Sequence, residues 1–133
     1  FESFKIKFEK VVSETIKEHQ KEPSILIDAE IKMEDFDKDF INFHRKLAPF
    51  GPLNMKPIFV IKNQKVSGYV KQMGKEGNHL KFYLKQDKTG RNIECIGFKL
   101  GEFAEDFRTK SFDAAFTLEE NHWKGNGTYF FNL

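Results

Sequence analysis

A chain of 133 residues carrying 39% hydrophobic and 32% charged residues, with 16 phenylalanines among them, has the apolar surface for one ordinary core and too much of it for a disordered segment. The single Cys95 excludes an internal disulfide and a cluster of metal-binding thiolates. No apolar run approaches the roughly 20 residues that cross a bilayer, and "FESFKIKFEK" has no secretory apolar segment, so the expected setting is reducing and cytoplasmic. The net charge of +2 is small but unevenly spread: residues 57 to 91 hold 8 Lys+Arg against 2 Asp+Glu, a local excess of +6. Such an excess is what a polyanion-binding face needs, and a solvated lysine-rich surface accounts for it equally well.

In chain order, Phe1, Phe4, Phe8, Val11, Val12 and Ile16 recur at helical spacing and predict an amphipathic helix that ends by Pro23. "SILIDAEI", Ser24 to Ile31, reads as one strand. Phe36, Phe40, Phe43 and Leu47 predict a second helix with Asp37 as its N-cap and Pro49 as its stop. One strand makes no sheet, so this helix-strand-helix stretch, residues 1–48, is expected to pair with protein beyond the chain or to pack on the residues after it. The loop within "KLAPFGPLNMKPIF" carries Pro49, Pro52 and Pro57. Each fixes φ, so residues 49–57 read as a joint that sets the entry angle of the next unit; a direct ligand contact by Asn54 or Lys56 is the alternative.

After Pro57 the apolar period becomes two. "PIFVIKNQKVSGYVKQM" is one long strand or two joined ones, with Gly68 at the bend. "HLKFYLKQ" and "IECIGF" come next, across the turns "GKEGN" and "DKTGRN". "KLGEFAEDFRTK" is a short helix or turn, and "FDAAFTLE" and "TYFFNL" are two more strands around the loop "ENHWKGNG". Five short strands with a helix between the third and fourth have the order of an OB-fold, a partly open Greek-key barrel. The expected class is therefore α+β or mainly β, a five-stranded OB barrel over residues 58–133 behind a helix-strand-helix segment.

Alternation places Lys65, Tyr69 and Lys71 on one face of the first strand, opposite Val66 and Val70. On the second it sends Leu80, Phe82 and Leu84 inward and Lys81, Tyr83 and Lys85 outward. Paired, these strands present ammonium groups and phenol rings on one surface, the combination that holds single-stranded nucleic acid through phosphate contacts and base stacking. Packing of the two tyrosines on a neighbouring domain is the competing explanation. Lys75 in the first interstrand turn, and Lys88 and Arg91 in the second, are candidate phosphate contacts. Trp123, with Lys124 beside it, either stacks on a base or plugs the end of the barrel.

No catalytic set is legible. His19, His44, His79 and His122 lack zinc-ligand spacing, and Asp35, Asp37 and Asp39 lack the Gly and Glu of a calcium loop, so helix capping explains them better.

"LAPFGPLNMKPIF", "GNHLKFYL", "IECIGFKLG" and "FDAAFTLEENHWKG", in that order, resemble the C-terminal part of the bacterial RecJ family of single-strand-specific 5′-to-3′ DNA exonucleases. Leu47, Pro49, Phe50, Gly51, Asn54 and Pro57 stand on the family's loop pattern, with Leu53 in place of a second Gly and Met55 in place of a Pro. Asn121, Trp123 and Gly125 fit the exit of its fourth strand. The resemblance implies a piece of a longer DNA repair and recombination enzyme: the end of a core domain, then an OB domain holding single-stranded DNA. It places the catalytic Asp and His motifs, and the Mn or Mg they bind, upstream, with no cofactor in this piece; the absence of an initiating Met agrees. The implied partners are single-stranded DNA, the upstream core and a single-strand-binding protein. A protein-interaction or bracing role for the OB domain is the alternative. An intracellular lipid carrier suits the length but not the long helical patterns.

Overall fold

The computed structural model describes residues 1–17, 24–121 and 128–133. Helix α1 (Glu2–Thr15) comes first, then strand β1 (Ala29–Glu30), a 3-10 turn (Met33–Asp35) and helix α2 (Lys38–Lys46). Strands β2 (Phe59–Gln64), β3 (Lys71–Met73), β4 (His79–Lys85) and β5 (Asn92–Gly97) come next. A second 3-10 turn (Gly101–Phe103), helix α3 (Ala104–Thr109) and strands β6 (Phe112–Asn121) and β7 (Thr128–Asn132) complete the order. Asp37 caps α2 as its sequence position predicts, its carboxylate accepting from the Phe40 amide at 2.9 Å.

The strands form one mixed seven-stranded sheet in the order β1-β2-β6-β7-β5-β4-β3. β5 and β7 pair in parallel, as do β1 and β2; the other neighbours are antiparallel. β2 and β3 lie at opposite ends of the ladder formed by the last six strands, yet they are consecutive in the chain. Between them Val66 bridges Leu84, the Ser67 amide donates to Tyr83 O at 2.7 Å, and Gly68 takes φ 87°, a conformation glycine adopts without strain. The stretch from Phe59 to Met73 thus pairs with β6 at its start and β4 at its end. The register shift between Ile61 and Gln64, with Asn63 at φ 53° and its amide bonded to Asp113 Oδ1 at 2.9 Å, turns the chain between these partners.

The inner face is apolar and aromatic. Leu80, Phe82 and Leu84 are fully buried, as alternation predicts, and so are Ile61 and Cys95, whose thiol pKa burial pushes up. Phe116 and Phe131 stack with centroids 3.8 Å apart, and Phe36 meets Phe131 edge-on at 5.1 Å. Met33, Phe36 and Ile41 belong to this same core. Buried Gln86 ties that segment down by donating from Nε2 to Met33 O at 2.9 Å and Phe36 O at 3.3 Å. Gly101 closes the far end: a Cβ there would stand 2.0 Å from Gly77 O, and its amide donates to Asn78 O at 3.0 Å.

Two expectations need adjusting. The strand expected over Ser24–Ile31 is a ladder only at Ala29–Glu30, because it has a neighbour on one side alone; the Asp28 amide to Ile58 O and the Ile31 amide to Val60 O, both 2.9 Å, bracket it. The amphipathic pattern of α1 forms a helix, but none of its residues is buried: Phe4 is 67% exposed, and Phe8 stacks on Phe4 at 6.0 Å.

Candidate nucleic-acid interface

The stripe read from alternation forms on the outward side of β4 and of the chain that bridges β2 to β3. Tyr69, 62% exposed, meets half-buried Tyr83 edge-to-face at 6.4 Å. Lys71 stands opposite Lys81 in the β3–β4 ladder, and the Val66–Leu84 bridge places exposed Lys65 and Lys85 at the other end of the stripe. Lys65 and Lys85 open onto a groove of about 710 Å³ that also takes in Lys32 and Lys62, with Glu30, Glu34 and Asp87 on its rim. Lys62 is held by Glu30 at 2.8 Å. Among the described residues Lys65, Lys71 and Lys85 make no ion pair, which leaves them available to a polyanion.

The remaining candidates sit apart. Lys75 is exposed in the β3–β4 turn, while Lys88 and Arg91 are exposed around the β4–β5 turn, which the Gln86 amide closes on Arg91 O at 2.9 Å. Trp123 and Lys124 lie outside the described residues.

Sequence reasoning missed Glu94. It stands opposite Tyr83 in the β4–β5 ladder, and its Oε2 receives both the Lys81 ammonium at 2.6 Å and the Tyr83 hydroxyl at 3.3 Å. The hydrogen bond to Glu94 holds the Lys81 pKa above its ordinary value; burial, first of all, raises that of Tyr83. A signal existed: Glu94 is the outward residue between buried Ile93 and Cys95, and the only acid in "IECIGF".

The loop alternatives of Asn54 and Lys56 meet protein groups. Asn54 Nδ2 donates to Leu47 O at 2.9 Å and Pro49 O at 2.8 Å, folding the loop on itself, while Lys56 pairs with Glu119 at 2.6 Å. Close by, His44 is buried against Phe50, its Nε2 without a hydrogen-bond partner among the described residues, and burial lowers its pKa. His79 accepts from the Lys99 amide at Nδ1, 3.0 Å. Among the described residues no group of three His, Cys, Asp or Glu side chains can hold a metal ion, and no helix is long and apolar enough to cross a membrane.

Residues 27–133 match the family model described as the RecJ OB domain. The chain is 27% identical over 95 residues to the single-stranded-DNA-specific exonuclease RecJ of Bacillus subtilis (strain 168), an alignment covering 71% of this chain and 12% of that protein. The crystal structure of RecJ in complex with Mn²⁺ from Thermus thermophilus superposes with a TM-score of 0.68 at 21% identity, over 99% of this chain and 18% of that one, a likeness of fold. The chain thus spans less than a fifth of either relative. Matched by the family model over most of its length, and folded as a mixed sheet with a parallel β5–β7 pair, the chain belongs to the RecJ OB domain family.

Proposed function

We propose that this chain is the single-stranded DNA-binding OB module of a RecJ-like 5′-to-3′ single-strand-specific exonuclease, guiding the strand toward a nuclease site outside these 133 residues. The observation that carries the reading is the Tyr69–Tyr83 pair set among Lys65, Lys71, Lys81 and Lys85 on one outward surface. Rings with an exposed π-face stack on any base, at about 1 to 3 kcal/mol each, and lysines neutralise phosphates, so the surface grips a strand without reading its sequence. Lys75 and Arg91 extend the phosphate contacts beyond the two turns; Trp123, as a base-stacking ring, and Lys124 beside it are further candidates outside the described residues.

In this reading Phe59 to Met73 is a single strand bent at Gly68, which makes the barrel five-stranded. Residues 1–48 are the helix-strand-helix tail of an upstream core domain, 49–57 the joint and 58–133 the OB domain. The packing of Met33, Phe36 and Ile41 into the common core supports a joint that holds the preceding segment in place. The Mn²⁺ in complex with the Thermus protein corresponds, in this reading, to an ion of the parent enzyme, Mn or Mg, expected outside this chain. The module would act in the cytoplasm, in DNA repair and recombination, with the upstream core and a single-strand-binding protein as partners.

A second reading, a bracing or protein-docking domain, draws on an apolar groove of about 790 Å³ lined by Leu26, Phe50, Leu53, Met55 and Ile58. Fluorescence anisotropy of a labelled oligo-dT at two salt concentrations separates the two. The DNA-binding reading expects salt-weakened binding and a loss of several-fold or more in Tyr69→Ala/Tyr83→Ala, at about 1 to 3 kcal/mol per stacked base. Absence of salt-dependent binding at high micromolar protein, or tyrosine variants that bind like the parent, favours the bracing role.

A further inference from the structure

The two groups that make the stripe most suited to a phosphate are already engaged by an anion. One carboxylate oxygen, Glu94 Oε2, takes both the Lys81 ammonium at 2.6 Å and the Tyr83 hydroxyl at 3.3 Å. The contact is half-buried, both side chains of the ion pair being 28% exposed, so it is less screened than a surface pair. Glu94 also lies beside a like-charged cross-strand pair, Lys71 opposite Lys81, whose repulsion it relieves. An oxygen accepting at once from an ammonium and a phenol is what a non-bridging phosphate oxygen would be on this surface.

We propose that Glu94 is an internal stand-in for a nucleic-acid phosphate, a clasp that holds Lys81 and Tyr83 until a strand displaces it. The inference rests on the DNA-binding reading of this face. In the free protein the clasp keeps both donors satisfied and in place. On binding, a phosphate oxygen takes over both hydrogen bonds while the carboxylate turns to water. Glu94 therefore lowers the affinity of the module for DNA and favours release, which suits a surface over which a strand must move. Lys65, Lys71 and Lys85, outside the clasp, supply the affinity of first contact.

The test is oligo-dT anisotropy over a series of salt concentrations with the 133-residue chain and its Glu94→Gln, Glu94→Asp and Lys81→Gln variants. Glu94→Gln is expected to bind about threefold tighter or better at low salt and to steepen the log–log salt slope by about 0.7, one further phosphate contact on a single strand. Glu94→Asp keeps the charge but loses the reach to both donors, so it should also bind tighter; a carboxylate acting only through its long-range field predicts no change. The gain from Glu94→Gln should shrink when Lys81→Gln is present, a coupling that a merely structural or field effect does not produce. Glu94 variants that bind no tighter than a DNA-binding parent overturn the clasp and leave the DNA-binding reading standing. Parent and variants that all fail to bind overturn both. A Glu94→Gln chain that has lost its cooperative thermal transition passes the decision to Glu94→Asp, whose parent-like affinity overturns the clasp.

Discussion

Two sets of phenylalanines have opposite fates in this molecule. Phe4 and Phe8 on α1, and Phe1 at its N-cap, stay exposed; Phe36, Phe59, Phe82, Phe116 and Phe131 disappear into the core. Periodicity decides which side of an element is apolar, and only the partner decides whether that side is covered. The second set has its partner within the chain: the outward-polar, inward-apolar strands of the sheet give each ring at least two other rings to meet. For the first set nothing among the described residues serves.

The largest way to sharpen this contrast is Phe116→Ala. Phe116 is 2% exposed, stacks on Phe131 and lies 6.0 Å from Phe59, so its loss leaves a cavity bordered by rings that cannot all move inward. A loss of about 3 to 5 kcal/mol is expected in urea unfolding followed by near-UV circular dichroism. A loss under about 1 kcal/mol would show the core repacking freely, against the close fit of its rings.

Asn54 tests what lies between the two regions. Its side chain bonds the carbonyls of Leu47 and Pro49, and the main chain of Gly51 and Asn54 exchanges two hydrogen bonds of 2.9 Å. Asn54→Ala removes the side-chain bonds from an exposed loop, where water replaces part of what is lost. The expected cost is about 1 kcal/mol of stability. Strand binding should be unchanged if the loop is a joint; a several-fold loss of affinity without a loss of stability would make the loop a DNA contact instead.

How far the sequence could be read depends on the same distinction between sides and partners. The inward run Leu80, Phe82, Leu84, the outward run Lys81, Tyr83, Lys85, the cap at Asp37 and the bend at Gly68 were all legible, because each depends on a residue and its immediate neighbours. The short reach of β1 was not, since a ladder needs a second strand and the isoleucines of "SILIDAEI" say nothing of where one lies. Neither was the grip of Glu94 on Lys81, which depends on the β4–β5 register. Alternation shows that Glu94 faces outward; it does not show that Tyr83 stands opposite it with Lys81 on the diagonal.

The smallest expected effect belongs to the first region. Phe8→Ser on α1 removes an exposed ring whose described aromatic contact is Phe4, one turn away, so no core contact is lost. At 14 residues, α1 has the length at which an isolated helix is marginal, and a single i,i+4 pair such as Lys10–Glu14 adds only a few tenths of a kcal/mol. Cooperative unfolding of the sheet and its core should therefore be indifferent to the change, with a stability difference within about 0.5 kcal/mol. Far-UV circular dichroism at low temperature, sensitive to α1 itself, should show some loss of helix, because the i,i+4 ring pair with Phe4 that supports the helix is gone. If Phe8→Ser instead lowers the unfolding midpoint by as much as a core substitution, α1 is packed against the sheet in solution, and the two sets of phenylalanines differ less than their exposures say.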